Sequence, residues 1–208
     1  MLGLKRRRSI LLLLVPGSPA IRRPVPQSLQ QLQKKLPVVQ AWIADTLARH
    51  AADAQPVSAL GFPRLGSYYP RALLDEVRAI FVPLIPVPPL AQLGLAGFED
   101  FERLEVAGIT YRNSYFVRDD HAELESLHFH ELVHVVQWQH LGAERFVLAY
   151  AVGHLLGRYE KNPLETMAYS LQARFEQEAS AFAVAPIVRR DLDVIVPQLF
   201  EIAARQIG

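Results

Sequence analysis

The sequence predicts an α+β fold, mostly helical, with a small antiparallel β-sheet ahead of one central helix. Three observations carry this expectation. Apolar residues recur at helical spacing through several stretches between Ser28 and Gln206. One region, residues 106–117, is instead dense in β-branched and aromatic residues, which suit a pleated, half-buried surface. The 208 residues are 50% hydrophobic, enough for one substantial core, so residues 27–208 are expected to form a single domain.

Residues 1–26 stand apart. Lys5-Arg6-Arg7-Arg8, an apolar run from Ile10 to Val15 and then Gly17-Ser18-Pro19-Ala20 have the three parts of a signal peptide. The apolar core is at the short limit of about seven residues, and Arg22 and Arg23 follow at once. The segment therefore reads either as a signal peptide or as a basic extension of a soluble protein, with the cytoplasm favoured over export.

From Ser28 to Ala52 the residues Leu29, Leu32, Leu36, Val39, Trp42, Ile43, Leu47 and Ala51 follow a helical period, and Pro37 is expected to divide two helices or open the second. Residues 61–67 read as a loop, and Pro70 opens a short helix over 71–75. Residues 77–84 read as a strand that Pro83 ends or places at an edge. Residues 85–89 form a stiff proline-rich connector, and 98–104 a short amphipathic turn. Strands over 106–111 and 114–117 follow, with Arg112-Asn113 as a hairpin turn, although glycine suits such a turn better. The central helix spans 122–141, with Asp120 and Glu123 spaced as in a capping box and Gly142 closing the far end. Further helices are expected over 144–159, loosened at Gly153; over 162–185, with Asn162 as cap and Pro163 in the first turn; and over 191–206.

Composition narrows the function. The chain has no cysteine, which removes disulfides, thiolate metal sites and cysteine nucleophiles. Eight of its 22 basic residues and none of its 21 acidic ones lie within residues 1–35, leaving a body of net charge −7 with no basic face for nucleic acid. No membrane span is expected: the uncharged stretch 79–98 is broken by Pro83, Pro86, Pro88 and Pro89, and 146–157 is too short.

The chemistry concentrates at His130-Glu131-Leu132-Val133-His134. Four residues is about one helical turn, so both imidazoles project from one face and can share a metal ion, with Glu131 beside them as a proton acceptor. The surrounding Val135 and Val136 mark a buried helix, where ionisable groups need partners. A hydrolytic zinc site takes three protein ligands. His140 lies six residues beyond His134, about 120° around the helix and roughly 9 Å along it, out of reach of the same ion. Glu165 opens a separate helix and is the stronger third ligand, although its place three residues after Asn162 also suits a helix cap. Glu160, Glu176 and Glu178 are reserves. His50, His121, His128 and His154 are expected to be structural.

His130-Glu131-Leu132-Val133-His134, followed by Asn162-Pro163-Leu164-Glu165, resembles the gluzincin branch of the zincin-like metallopeptidases. It also resembles small bacterial proteins of unassigned function with a similar His-Glu-Leu-Val-His-Val-Val-Gln helix. The resemblance covers about residues 105–185. It implies a zincin-like fold, one Zn²⁺ held by His130, His134 and Glu165, and a peptide or protein substrate. Glu131 is then the general base of a metal-activated hydrolysis, with Tyr150, Tyr159 or Tyr169 as oxyanion donor and the strand at 109–118 as an edge for an extended peptide. Absence of cysteine separates the chain from peptide deformylases, and absence of a span from intramembrane proteases. One position departs from the branch: Tyr169 stands where gluzincins carry an aspartate that orients a ligand histidine. The alternative reading is a catalytically weak or inactive zincin-fold module for metal binding or interaction.

Overall fold

A computed structural model describes residues 25–95, 98–157, 159–177 and 180–205; the segment 1–24, which carries the signal-peptide motif, lies outside that range. The fold is α+β and mostly helical, as expected. Among the described residues six α-helices, α1 (Val25–Arg49), α2 (Arg71–Glu76), α3 (Glu99–Glu102), α4 (Glu125–Gly157), α5 (Pro163–Gln177) and α6 (Val184–Arg205), accompany four strands. These are β1 (Gln55–Pro56), β2 (Arg78–Val82), β3 (Gly108–Tyr111) and β4 (Ser114–Arg118).

The sheet is mixed rather than antiparallel throughout. Its order is β1-β2-β4-β3, with β2 parallel to β4 and the other two pairings antiparallel. A parallel pair needs a long crossover, and residues 83–113, which include the proline connector, α3 and β3, supply it. Pro83 ends β2 and does not mark an edge, because β2 lies between β1 and β4. The hairpin forms at Arg112-Asn113 as expected. Arg112 takes the left-handed conformation (φ 58°) that glycine would adopt more cheaply.

Helix α4 is the axis of the fold. From His128 to Trp138 every residue is buried, so this segment has no solvent face. It packs against α1, α5, α6 and β3. Its start differs from the sequence reading. Asp119–His121 form a 3-10 turn and α4 begins at Glu125, because Asp120 is drawn into bonds with Arg118 (2.6 Å) and His121 (2.7 Å) instead of capping. Gly142 does close the first segment: its φ of 74° and ψ of 164° are not helical, and the chain re-enters a helix that runs to Gly157.

Pro37 does not divide α1. The buried stripe Leu32, Leu36, Val39 and Ile43 runs across it, and this packing holds one continuous helix despite the missing backbone bond. Likewise α6 begins at Val184, earlier than expected, and passes through Pro197 on buried Val184, Val188, Leu192, Val196 and Leu199. Among the described residues no helix is long and apolar enough to cross a membrane.

Candidate metal centre

Spacing of one turn stacks His130 and His134 on the same face of α4, with ring centroids 4.8 Å apart and Nε2 atoms 3.1 Å apart. Glu165, in the first turn of α5, brings its carboxylate to the same point. Its Oε2 lies 3.5 Å from His130 Nε2 and its Oε1 3.4 Å from His134 Nε2. All three side chains are buried, and one ligand atom from each lies within 4.8 Å of the others. This buried His-His-Glu group can hold a metal ion. Among the described residues no other such group of three occurs.

The way Glu165 reaches the histidines rests on the turn between α4 and α5. Asn162, fully buried, caps α5 by accepting the Leu164 N–H on Oδ1 (3.2 Å) and donates Nδ2–H to the Tyr150 carbonyl on α4 (3.1 Å). Gly153 makes this possible, since a Cβ there would lie 2.4 Å from Asn162 Oδ1. Gly153 therefore does not loosen α4; it admits the cap of α5. Glu165 takes no part in capping. Its Oε1 accepts the Tyr150 hydroxyl (2.6 Å), and its Oε2 is buried with no hydrogen-bond partner.

Two glutamines settle the histidine tautomers. Gln137 donates Nε2–H to the Leu164 carbonyl (3.1 Å), so its Oε1 faces His134 Nδ1 (2.9 Å). Gln172 donates to Glu176 (3.2 Å), so its Oε1 faces His130 Nδ1 (3.0 Å). An amide oxygen only accepts, so both Nδ1 atoms carry a proton, and in the neutral imidazoles both Nε2 atoms present lone pairs. Two lone pairs 3.1 Å apart beside a carboxylate are stable only with a cation between them, a proton or a metal ion. This is the arrangement by which an outer hydrogen bond fixes a ligand histidine.

The role left open at Tyr169 thus falls to Gln172. Tyr169 itself lies against the His130 ring (centroids 4.5 Å) and bonds the Tyr159 hydroxyl (3.2 Å). Sequence reading missed both glutamines. Gln137 carried a signal, three residues from His134 on the same helix, and Gln172 sits two turns from Glu165 on one face of α5.

Glu131 points toward β3. Thr110 Oγ1 donates to its Oε2 (2.6 Å), and Gly108 leaves the space its Oε1 occupies, since a Cβ there would lie 2.4 Å away. Thr110 faces the free edge of the sheet, and Trp138 Nε1–H occupies its carbonyl (3.2 Å), which shortens the edge open to a peptide strand.

Electrostatics follow from burial and proximity. Burial raises the Glu131 carboxyl, and the two histidines and Thr110 only partly offset it. Burial opposes charge on His134, but Glu165, by charge and hydrogen bond, and Glu131 outweigh it and raise the imidazole to about 9. Glu165 is opposed by burial too, yet the two histidines hold it well below the usual carboxylate range. Burial and the Glu165 carboxylate together keep Tyr150 a neutral phenol.

The remaining candidates lie elsewhere. His140 pairs with Asp193 (2.7 Å) and takes no part. His128 is held between the Tyr115 hydroxyl (2.7 Å) and the Ala122 carbonyl (2.8 Å), a structural role. Glu176 supports Gln172; the side chains of Glu160 and Glu178 lie outside the described part. A cavity of about 130 Å³ adjoins the triad, lined by Glu131, Thr110, Tyr150 and Tyr159 at the polar end and by aliphatic and aromatic side chains beyond. No protein-family model, curated protein or solved structure matches this chain, so the meaning of the site rests on its own geometry.

Proposed function

We propose that the protein is a zinc-dependent hydrolase of the amide or peptide bond, with His130, His134 and Glu165 as ligands and Glu131 as general base. The convergence of two Nε2 atoms on the Glu165 carboxylate, one oxygen of which has no hydrogen-bond partner, carries the reading. Two imidazoles and one carboxylate, with no thiolate, are the donor set of catalytic zinc. Zn²⁺ in such a set supplies Lewis acidity, polarising a carbonyl and bringing the pKa of water down to about 7.

The chain's own groups supply the rest. Gln137 and Gln172 hold both imidazoles with Nε2 free, and Tyr150 orients Glu165. Glu131, raised by burial and steadied through Oε2 by Thr110, accepts a proton on its free oxygen and returns it to the leaving amine. Tyr159 is the phenol best placed to donate to a developing oxyanion: both it and Tyr150 line the cavity, but the Tyr150 hydroxyl donates to Glu165, whereas Tyr159 can accept from the Tyr169 hydroxyl and keep its own proton to donate. The apolar walls around this end lower the local dielectric and so strengthen each of these interactions.

One observation favours the second reading, a metal-binding module without turnover. Both ligand histidines lean on neutral amides where a carboxylate would make them more basic. Elemental analysis and a fluorogenic peptide assay separate the readings. Wild type is expected to hold about one zinc per chain and His134→Ala none; Glu131→Gln is expected to keep zinc and lose hydrolysis. Zinc in wild type with no turnover of any peptide leaves the module. Equal zinc in wild type and His134→Ala removes the site.

A further inference from the structure

The cavity beside the triad is long in apolar wall and short in charge. Ile43 of α1, Phe101 of α3, Ile109 of β3, and Trp138, Phe146 and Ala151 of α4 form much of its apolar wall. Among the described residues its carboxylates are Glu131 and Glu165, already engaged at the polar end, its remaining ionisable side chain beyond the two triad histidines and the tyrosines is the His154 imidazole, and no lysine or arginine lines it. A substrate group with a carboxylate or phosphate would lose its hydration there and meet no described lysine or arginine in return. An ammonium would find no carboxylate beyond the two at the polar end. The volume sets a size as well. An apolar cavity of about 150 Å³ admits benzene, and this one measures about 130 Å³.

From this we infer that the recess is an acyl-side specificity pocket for an uncharged apolar group of about six carbons, attached directly to the carbonyl that is cleaved. The inference rests on the hydrolase reading of the metal centre and adds its substrate class. The same chemistry is offered by a leucine-like residue in a peptide and by a short acyl chain on a small amide.

Straight-chain hydroxamates test it, because the head group binds a metal and the tail alone reads the pocket. On the zinc-loaded full chain, calorimetric affinity is expected to rise from acetohydroxamate to hexanohydroxamate by about fourfold per methylene, then level off by decanohydroxamate. Adipic monohydroxamate, which carries a carboxylate at the tip, is expected to lose most of that gain. Ala151→Leu and Val147→Phe, both on the wall, are expected to flatten the length series, with zinc content reporting that the triad is intact. Tighter binding of N-acetyl-leucine hydroxamate than of hexanohydroxamate identifies a peptide as the source; the reverse order identifies a simple acyl chain. A zinc-loaded protein whose affinity ignores tail length, or accepts the charged tip equally, overturns this inference and leaves the metal centre standing. A chain that binds no zinc overturns both. Should neither variant fold, the wild-type series alone decides.

Discussion

Replacing Gly153 by alanine sets two physical effects against each other with opposite signs. Gly153 has ordinary helical backbone inside α4, where alanine is better than glycine by about 1 kcal/mol. On propensity alone, Gly153→Ala stabilises. In the fold, the new Cβ would sit 2.4 Å from Asn162 Oδ1, 2.9 Å from its Cγ and 3.1 Å from Pro163 Cδ. Asn162 must withdraw, giving up the Leu164 N–H and the bond to the Tyr150 carbonyl. Loss of an N-cap costs about 1 kcal/mol, and each polar group left buried without a partner roughly 1–3 kcal/mol more. The net expectation is a destabilisation of about 1–3 kcal/mol, read from urea unfolding of the metal-free protein. Zinc affinity is expected to fall too, since Glu165 follows the displaced turn by three residues. The double variant Gly153→Ala/Asn162→Ala removes the obstruction, and there the alanine at 153 is expected to be neutral or stabilising. A stabilised Gly153→Ala in the wild-type background refutes the close approach of α4 to the cap of α5.

Three further expectations follow from the same contacts. Gly108→Ala drives a Cβ against Glu131 Oε1 at 2.4 Å, so the carboxylate must retreat by about 1 Å and loosen its bond to Thr110; zinc content is expected to hold while hydrolysis drops at least about 100-fold, and full activity would sink this account. Gln137→Leu frees His134 Nδ1 and the Leu164 carbonyl together, and competition with a chelator is expected to show zinc affinity about 10- to 100-fold weaker; unchanged affinity means the amide does not fix the tautomer. His128 is lowered by burial to about 4, partly offset by its bond to the Ala122 carbonyl. The unfolded chain takes up that proton near 6.5, so the contribution is complete above pH 6.5 and is lost as pH falls toward 4, about 3 kcal/mol in all. His128→Phe is expected to remove this part of the pH dependence of the urea midpoint; an unchanged slope between pH 7 and 4.5 excludes it.

What could be read from the sequence, and what could not, divides by range. The pairing of His130 with His134 is local, set by helical geometry, and the hairpin at Arg112-Asn113 is set by the strands flanking it. Glu165 was reachable through its place at the start of a helix, but its distance from His134 was not, because that depends on how α5 packs against α4. The packing is encoded in Gly153, which in the sequence resembles any helix weakener and in the fold is the gap that Asn162 fills. Gly108 is the same case on β3: a residue that weakens a strand by propensity, placed where the Glu131 carboxylate needs room. The parallel pairing of β2 with β4 was hidden because 31 residues separate the strands and nothing in either one records direction.

The two hidden glutamines carry the chemical argument further than the histidines do. A His-Glu-x-x-His pattern on a buried helix is compatible with imidazoles of either tautomer, and a pair with Nε2–H groups would repel a metal. Gln137 and Gln172 remove the neutral Nε2–H tautomer, because each is turned by a second bond, one to Leu164 on α5 and one to Glu176 on the same helix. The backbone of α5 therefore presents the Glu165 carboxylate to the histidine pair and, through Leu164, sets the tautomer of His134. The capacity of this group to hold a metal ion and the packing of α5 on α4 are therefore one property of this fold, and a substitution that shifts α5 is expected to change both.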